Sequence, residues 1–155
     1  MEDRLKGTRK VCIIGFCFVA LLVPPGLLAQ EKEYKIFTVD EYIRMDNPEP
    51  GKRHRLEILT DKDNATKLGG IVIILPATAP KAAYHYHKNR ESLIMVIGGQ
   101  ATEVVEEKRF PLKAGQLIYI PPMVKHVIYN SSEKEDLRYM EFFTPTVPDM
   151  VEVKE

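Results

Sequence analysis

The stretch that decides the fold is YHYHKNRESLIMVIGG, Tyr84 to Gly99. Side chains alternate faces along a β-strand, so His85 and His87 point the same way, with Cα atoms about 6.5–7 Å apart. Tyr84 and Tyr86 point the other way. Lys88-Asn89-Arg90 then turns the chain. Glu91 opens the next strand, where its carboxylate can return toward the point that the two imidazoles face. Taken singly, each residue has an ordinary reading: a histidine in a strand is more often a polar core or surface residue than a ligand, and an acid at a strand end is more often solvated. Together they raise a sharper one. A buried carboxylate is costly unless it is paired or coordinated, and a cation shared with imidazoles meets that need.

Strands extend on either side. HRLEILT alternates, and GGIVIILPA is a continuous β-branched run, as expected of a strand buried on both faces. AAYHYH, SLIMVIGG, ATEVVEE, QLIYIPP, HVIYN and DLRYMEFF follow, with turn residues between them, and KRFPLKAG reads as a turn-rich connection. About eight short strands at roughly ten-residue spacing predict an antiparallel sandwich or barrel. HVIYN contributes a fourth group, His126, after the Pro121-Pro122 turn. The remaining histidine, His54, lies in an earlier strand. Three imidazoles and one carboxylate suit Fe(II), Mn(II), Ni(II), Cu(II) or Zn(II), and around an octahedral ion they leave two open positions.

The ends of the chain differ from this middle. MEDRLKGTRK is basic, VCIIGFCFVALLV is apolar, and PPGLLAQ breaks the run and reaches a small residue. This predicts a secretory signal peptide over 1–29, cleaved after Ala29. The alternative is an uncleaved membrane anchor, against which stand the short apolar run and Pro24-Pro25. Both cysteines, Cys12 and Cys17, lie in this segment, so the exported chain folds without disulfides and tolerates an oxidising compartment, periplasmic or extracellular. Residues 30–52 hold an expected strand, Ile36 to Val39, one helical turn from Asp40 through Met45, and a loop. The tail, 144–155, is expected to run over the surface. Lys+Arg and Asp+Glu both number 22, and cleavage would leave 18 and 20, so no basic surplus supports nucleic-acid binding. No membrane contact is expected once the leader is gone.

The chain resembles a small single-domain cupin. The family's first motif is glycine, five residues, His-x-His, three or four residues, Glu, six residues and Gly; His85, His87, Glu91 and Gly98 fall at that spacing, with Ala79 in place of the leading glycine. In the second motif Gly115, Pro121, His126 and Asn130 match, and Met123 replaces the middle glycine. The resemblance spans 53–143 and implies a conical jelly-roll barrel of two antiparallel sheets. It also implies one divalent transition metal ion near an open end, held by His85, His87, Glu91 and His126, with Glu91 a possible base. Alternation then assigns Leu93, Met95 and Ile97 to the face of Glu91 and Ile128 to that of His126, as the lining of an apolar chamber. Tyr119 and Tyr139 could hydrogen-bond a ligand but are more simply outward-packing strand residues; Glu141 is either an acid or general base facing the chamber or, as the simpler reading, a solvated edge residue, and Arg55 and Arg138 are similarly open.

An open-sided ion in a barrel implies a small-molecule partner. The first reading is an enzyme on a small oxygen-rich substrate, a dioxygenase or a metal-assisted isomerase or lyase. The alternative is a non-catalytic module that binds a metal or small molecule. A third is a storage or structural barrel. A homodimer through the alternating strand YKIFTV is a further expectation.

Overall fold

The structure, a computed structural model, describes residues 34–154. The expected leader at 1–29 lies outside them. Among the described residues, no helix is long and apolar enough to cross a membrane.

One short helix, α1 (Val39–Arg44), precedes ten strands: β1 (His54–Leu59), β2 (Gly69–Leu75), β3 (His85–His87), β4 (Glu91–Gly98), β5 (Gln100–Val105), β6 (Lys108–Lys113), β7 (Leu117–Ile120), β8 (His126–Asn130), β9 (Leu137–Thr144) and β10 (Met150–Glu152). They form two five-stranded sheets, ordered β1-β2-β9-β4-β7 and β10-β3-β8-β5-β6, with every pairing antiparallel. This is the expected jelly-roll barrel, in which chain neighbours such as β3 and β4 lie in opposite sheets.

The register defines the inner layer. Across the first sheet Ile71 lies opposite Glu141, and Glu141 opposite Ile94; in the next row Arg55, Ile73, Tyr139 and Val96 stand side by side. Cross-strand partners share a face, so these residues point into the barrel. Of these, Ile71, Ile73, Ile94, Val96 and Tyr139 pack with Leu137, Phe143, Ala101, Ile120 and Ile128 as the main core. The outer face of the same sheet is also covered. Ile58, Val72, Ile97 and Met140 form a second core, closed by Phe37, Val39 and Tyr42 from the N-terminal segment. Hence every residue of β2 is buried, as its unbroken apolar run predicts.

Four expectations change. YKIFTV is not a strand: 34–38 are irregular, Tyr34 and Ile36 are exposed, and helix begins at Val39. Phe37 instead helps to cover the outer core. KRFPLKAG forms β6, and Pro111 is tolerated there because β6 is an edge strand. The tail folds back as β10 and pairs with β3. Last, the face of Glu91 is the outer one: Ser92, Ile94 and Val96 point inward, whereas Leu93 is exposed and Met95 and Ile97 join the outer core.

Met123 holds the left-handed backbone that a glycine would take, with φ +66. The turn survives because its amide donates to the His87 carbonyl at 2.7 Å, which ties the loop before His126 to β3.

Glu103 is the most exceptional core residue. Its neighbours across the sheet are Ile128 and Phe110. It is 0% exposed, and neither carboxylate oxygen has a hydrogen-bond partner among the described residues. Burial, and secondarily the Glu141 charge, push its carboxyl up to about 8. An unfolded carboxyl releases its proton near 4.5, so between these values the folded chain holds a proton that the unfolded chain has lost. The resulting stability is complete below about pH 4.5 and disappears as pH rises through about 8. Wild type should therefore lose stability against Glu103→Gln by up to about 1.4 kcal/mol per pH unit between these limits. Urea titrations at pH 5, 6, 7 and 8 measure the gap. A gap that does not vary with pH would exclude a buried protonated Glu103.

Candidate metal centre

β3 and β8 place the three histidines. His85 and His126 are direct cross-strand partners, and His87 follows His85 by one strand repeat. Their ring centroids are 4.5 Å (His85–His126), 5.2 Å (His85–His87) and 5.7 Å (His87–His126) apart. One ligand nitrogen from each lies within 4.8 Å of the others, a set able to hold a metal ion.

Each ring is oriented from behind. Nδ1 of His85 meets the Ala83 carbonyl at 2.8 Å, and Nδ1 of His126 meets the Val124 carbonyl at 3.1 Å. Nδ1 of His87 meets the Asp149 carboxylate at 2.9 Å. An acceptor at Nδ1 keeps the proton there and leaves Nε2 as the free lone pair, the tautomer a metal ligand needs. The electrostatics agree. Burial lowers His126 to about 4, with His85 and His87 adding to the effect against the Val124 carbonyl. Burial likewise lowers His87, partly offset by Asp149. Both rings are thus neutral at ordinary pH and ready to coordinate. The donor chemistry fits a borderline divalent ion.

Asp149 comes from the segment expected to be a surface tail. It also accepts the Asn89 amide at 2.6 Å and the Arg90 amide at 3.0 Å. Burial raises its carboxyl, but these amides and His87 outweigh that and leave it lowered. One carboxylate therefore fixes the β3–β4 turn and His87 together. No sequence spacing signals this partner, which is 62 residues from His87.

Glu91, expected as the fourth ligand, does not join the set. It is exposed on the outer face, its carboxylate beside the Tyr119 hydroxyl. The inward position is Ser92, 1% exposed, whose hydroxyl donates to Glu141 at 2.7 Å. The motif permits three or four residues after the second histidine. Counting four gives Ser92 and then Gly99, the glycine with φ +73, where a Cβ would lie 2.6 Å from the Asp136 carbonyl oxygen. The turn thus follows the longer spacing, and the acid stands one residue off the inner face.

A cavity of about 330 Å³ opens beside the triad, bounded by Arg53, Arg90, Ile94, Ile128, Tyr139 and Glu141. Tyr139 and Glu141 are therefore interior residues, not the outward tyrosine and solvated acid that sequence favours. Burial pushes the Tyr139 hydroxyl far up, and the facing Arg53 guanidinium only partly reverses this. Tyr119 is outside, at 54% exposure. Arg55 also lines the cavity. Arg138 points outward and holds the Met45 carbonyl at 3.2 Å, and His54 takes no part in the cluster.

Residues 71–143 match the Cupin domain family. Among solved structures, the chain is similar to a conserved protein with a double-stranded β-helix domain from Klebsiella pneumoniae. The identity is 25% over 79% of this chain and 100% of that one, with a TM-score of 0.61. It is also similar to a cupin-like protein from Thermotoga maritima, at 18% identity over 66% and 77% of the two chains, with a TM-score of 0.56. No curated protein matches it.

Asp149→Asn should weaken cobalt(II) binding by about 10–100-fold, because an amide can offer His87 the wrong partner. Glu91→Gln should leave it within about twofold, since no contact joins Glu91 to the triad. Spectroscopic cobalt titration of both variants measures this; equal loss in the two would restore Glu91 to the ligand set.

Proposed function

Because residues 71–143 match the Cupin domain family, we propose that the chain is a cupin and an exported metal-dependent enzyme acting on a small oxygen-rich organic molecule. His85, His87 and His126 hold one divalent transition metal ion through Nε2. The observation that carries this reading is the acceptor behind Nδ1 of every one of the three rings. A merely polar core cluster has no need of three like-oriented tautomers. When bound, such an ion supplies Lewis acidity or dioxygen activation, which makes oxygenation, isomerisation or elimination the reaction classes.

The chain's own groups do the rest. Ile71, Ile94 and Ile128 give the cavity one hydrocarbon wall. Glu141 faces that cavity, held by the Ser92 hydroxyl, where it can take a proton from a bound substrate and return it. A positioned acid–base group of this kind favours an enzyme over a passive binding module. Tyr139 keeps its proton and can donate a hydrogen bond to a substrate oxygen. Export rests on the basic-apolar-small pattern of 1–29.

The test uses protein recovered from its own host. Elemental analysis should give about one transition metal ion per chain, and N-terminal sequencing should begin at Gln30. Metal-replete protein should turn over a member of a panel of catechols, flavonoids, uronates and β-dicarbonyls, and Glu141→Gln should retain the metal while losing about 100-fold or more in turnover. Tight ligand binding without turnover would instead support the binding module. A metal-free chain starting at Met1 would contradict both the metal and the export.

A further inference from the structure

Two cavities adjoin at the mouth of the barrel, of about 330 and 520 Å³, and Arg55, Ile71, His87, Arg90 and Met150 line both. Arg55 arrives from β1 on the inward register, opposite Ile73. Arg90 arrives from the β3–β4 turn and lies over the Phe143 ring, Cζ 4.1 Å from its centre. Only 12% of the Arg90 side chain is exposed.

The charges there are not settled by the protein. Nε of Arg90 is buried and has no hydrogen-bond partner among the described residues. The Asp149 oxygen 3.9 Å away is beyond hydrogen-bond reach and is already engaged by His87. Burial lowers the Arg90 guanidinium, Glu141 and Asp149 oppose this, and Arg55 adds to the lowering as a like charge nearby. The acid beside Arg55 is Glu57 at 3.6 Å, and both side chains are half exposed, where an ion pair contributes little. Arg53 is turned to the Tyr139 hydroxyl. A buried donor without a partner is costly, and two guanidiniums that face one space repel. A bound anion relieves both.

We propose that Arg55 and Arg90 grip the carboxylate of a small organic acid, placing its neighbouring oxygen toward the histidine triad. This rests on the reading of the chamber as the substrate site and names the class of substrate it takes. The planar guanidinium fork matches a carboxylate. The walls also hold Glu141, Glu152 and Asp149, which repel a phosphate, with both charges on the gripped group, more than a carboxylate group that brings one.

The probes are succinate, its neutral diamide and inorganic phosphate, titrated into the metal-free full chain while the Arg90 Nε–H signal is followed by NMR. Succinate should shift that signal saturably, and the diamide should not. Arg55→Gln and Arg90→Gln should each weaken succinate by about tenfold or more, and Arg55→Gln, which has no contact with Asp149 or the imidazoles, should leave cobalt(II) affinity within about twofold. Arg55 is solvent-facing enough for its variant to fold even if Arg90→Gln, which strips a contact from Phe143, does not. Equal binding of the diamide, undiminished binding in Arg55→Gln, or displacement of succinate by less phosphate than succinate present would each overturn the proposal. A chain that binds succinate through these arginines but takes no cobalt keeps the clamp and removes the metal reading. One that takes cobalt but not succinate does the reverse.

Discussion

The orientation of three imidazole rings is the constraint on which the site depends. A histidine can present either nitrogen to an ion, and without a partner at the other nitrogen the ring is free to turn. Here the backbone settles two of the three. The carbonyls of Ala83 and Val124, each two residues before its histidine, hold Nδ1 of His85 and His126. The third needs a distant side chain, Asp149. The strand pairing β10-β3-β8 delivers all three supports at once: β8 sets His126 opposite His85, and β10 begins at the residue after Asp149.

Around this centre the barrel is less apolar than its core suggests. The row Ile71, Glu141, Ile94 sets one acid between two isoleucines, and Glu103 is fully buried with no hydrogen-bond partner among the described residues. Arg55 and Arg90 face the same space, one from β1 and the other from the β3–β4 turn. A fold selected for stability alone gains by replacing such groups with hydrocarbon. The presence of Glu141, Arg55 and Arg90 beside the triad marks the chamber as built for polar chemistry, while the second core under Phe37, Val39 and Tyr42 covers the outer face of the sheet that carries Arg55 and Glu141.

Much of this was legible in the chain. Alternation in YHYH put His85 and His87 on one face, and the Pro-Pro turn flagged His126. The β-branched run of β2 announced a strand covered on both sides, and strand spacing gave the barrel. What was not legible turns on single-residue shifts and on distance. Glu91 and Ser92 both fit the permitted spacing, and the period-2 geometry of a strand makes that one-residue ambiguity a choice between outside and inside. The same slip placed Leu93, Met95 and Ile97 in the chamber instead of Ser92, Ile94 and Val96. For Tyr139 and Glu141 the chamber-facing reading was only the less favoured one, because an isolated strand pattern does not say which face is inner. Asp149 was missed because its meaning depends on β10 folding back across the sheet.

X-ray absorption of the cobalt-loaded chain tests the centre most directly. The expected spectrum carries the multiple-scattering signature of three imidazoles at about 2.0–2.2 Å, unchanged in Glu91→Gln and reduced to two imidazoles in His126→Ala. Fewer than three imidazoles in the wild-type chain, or a carboxylate contribution that disappears with Glu91, would contradict it.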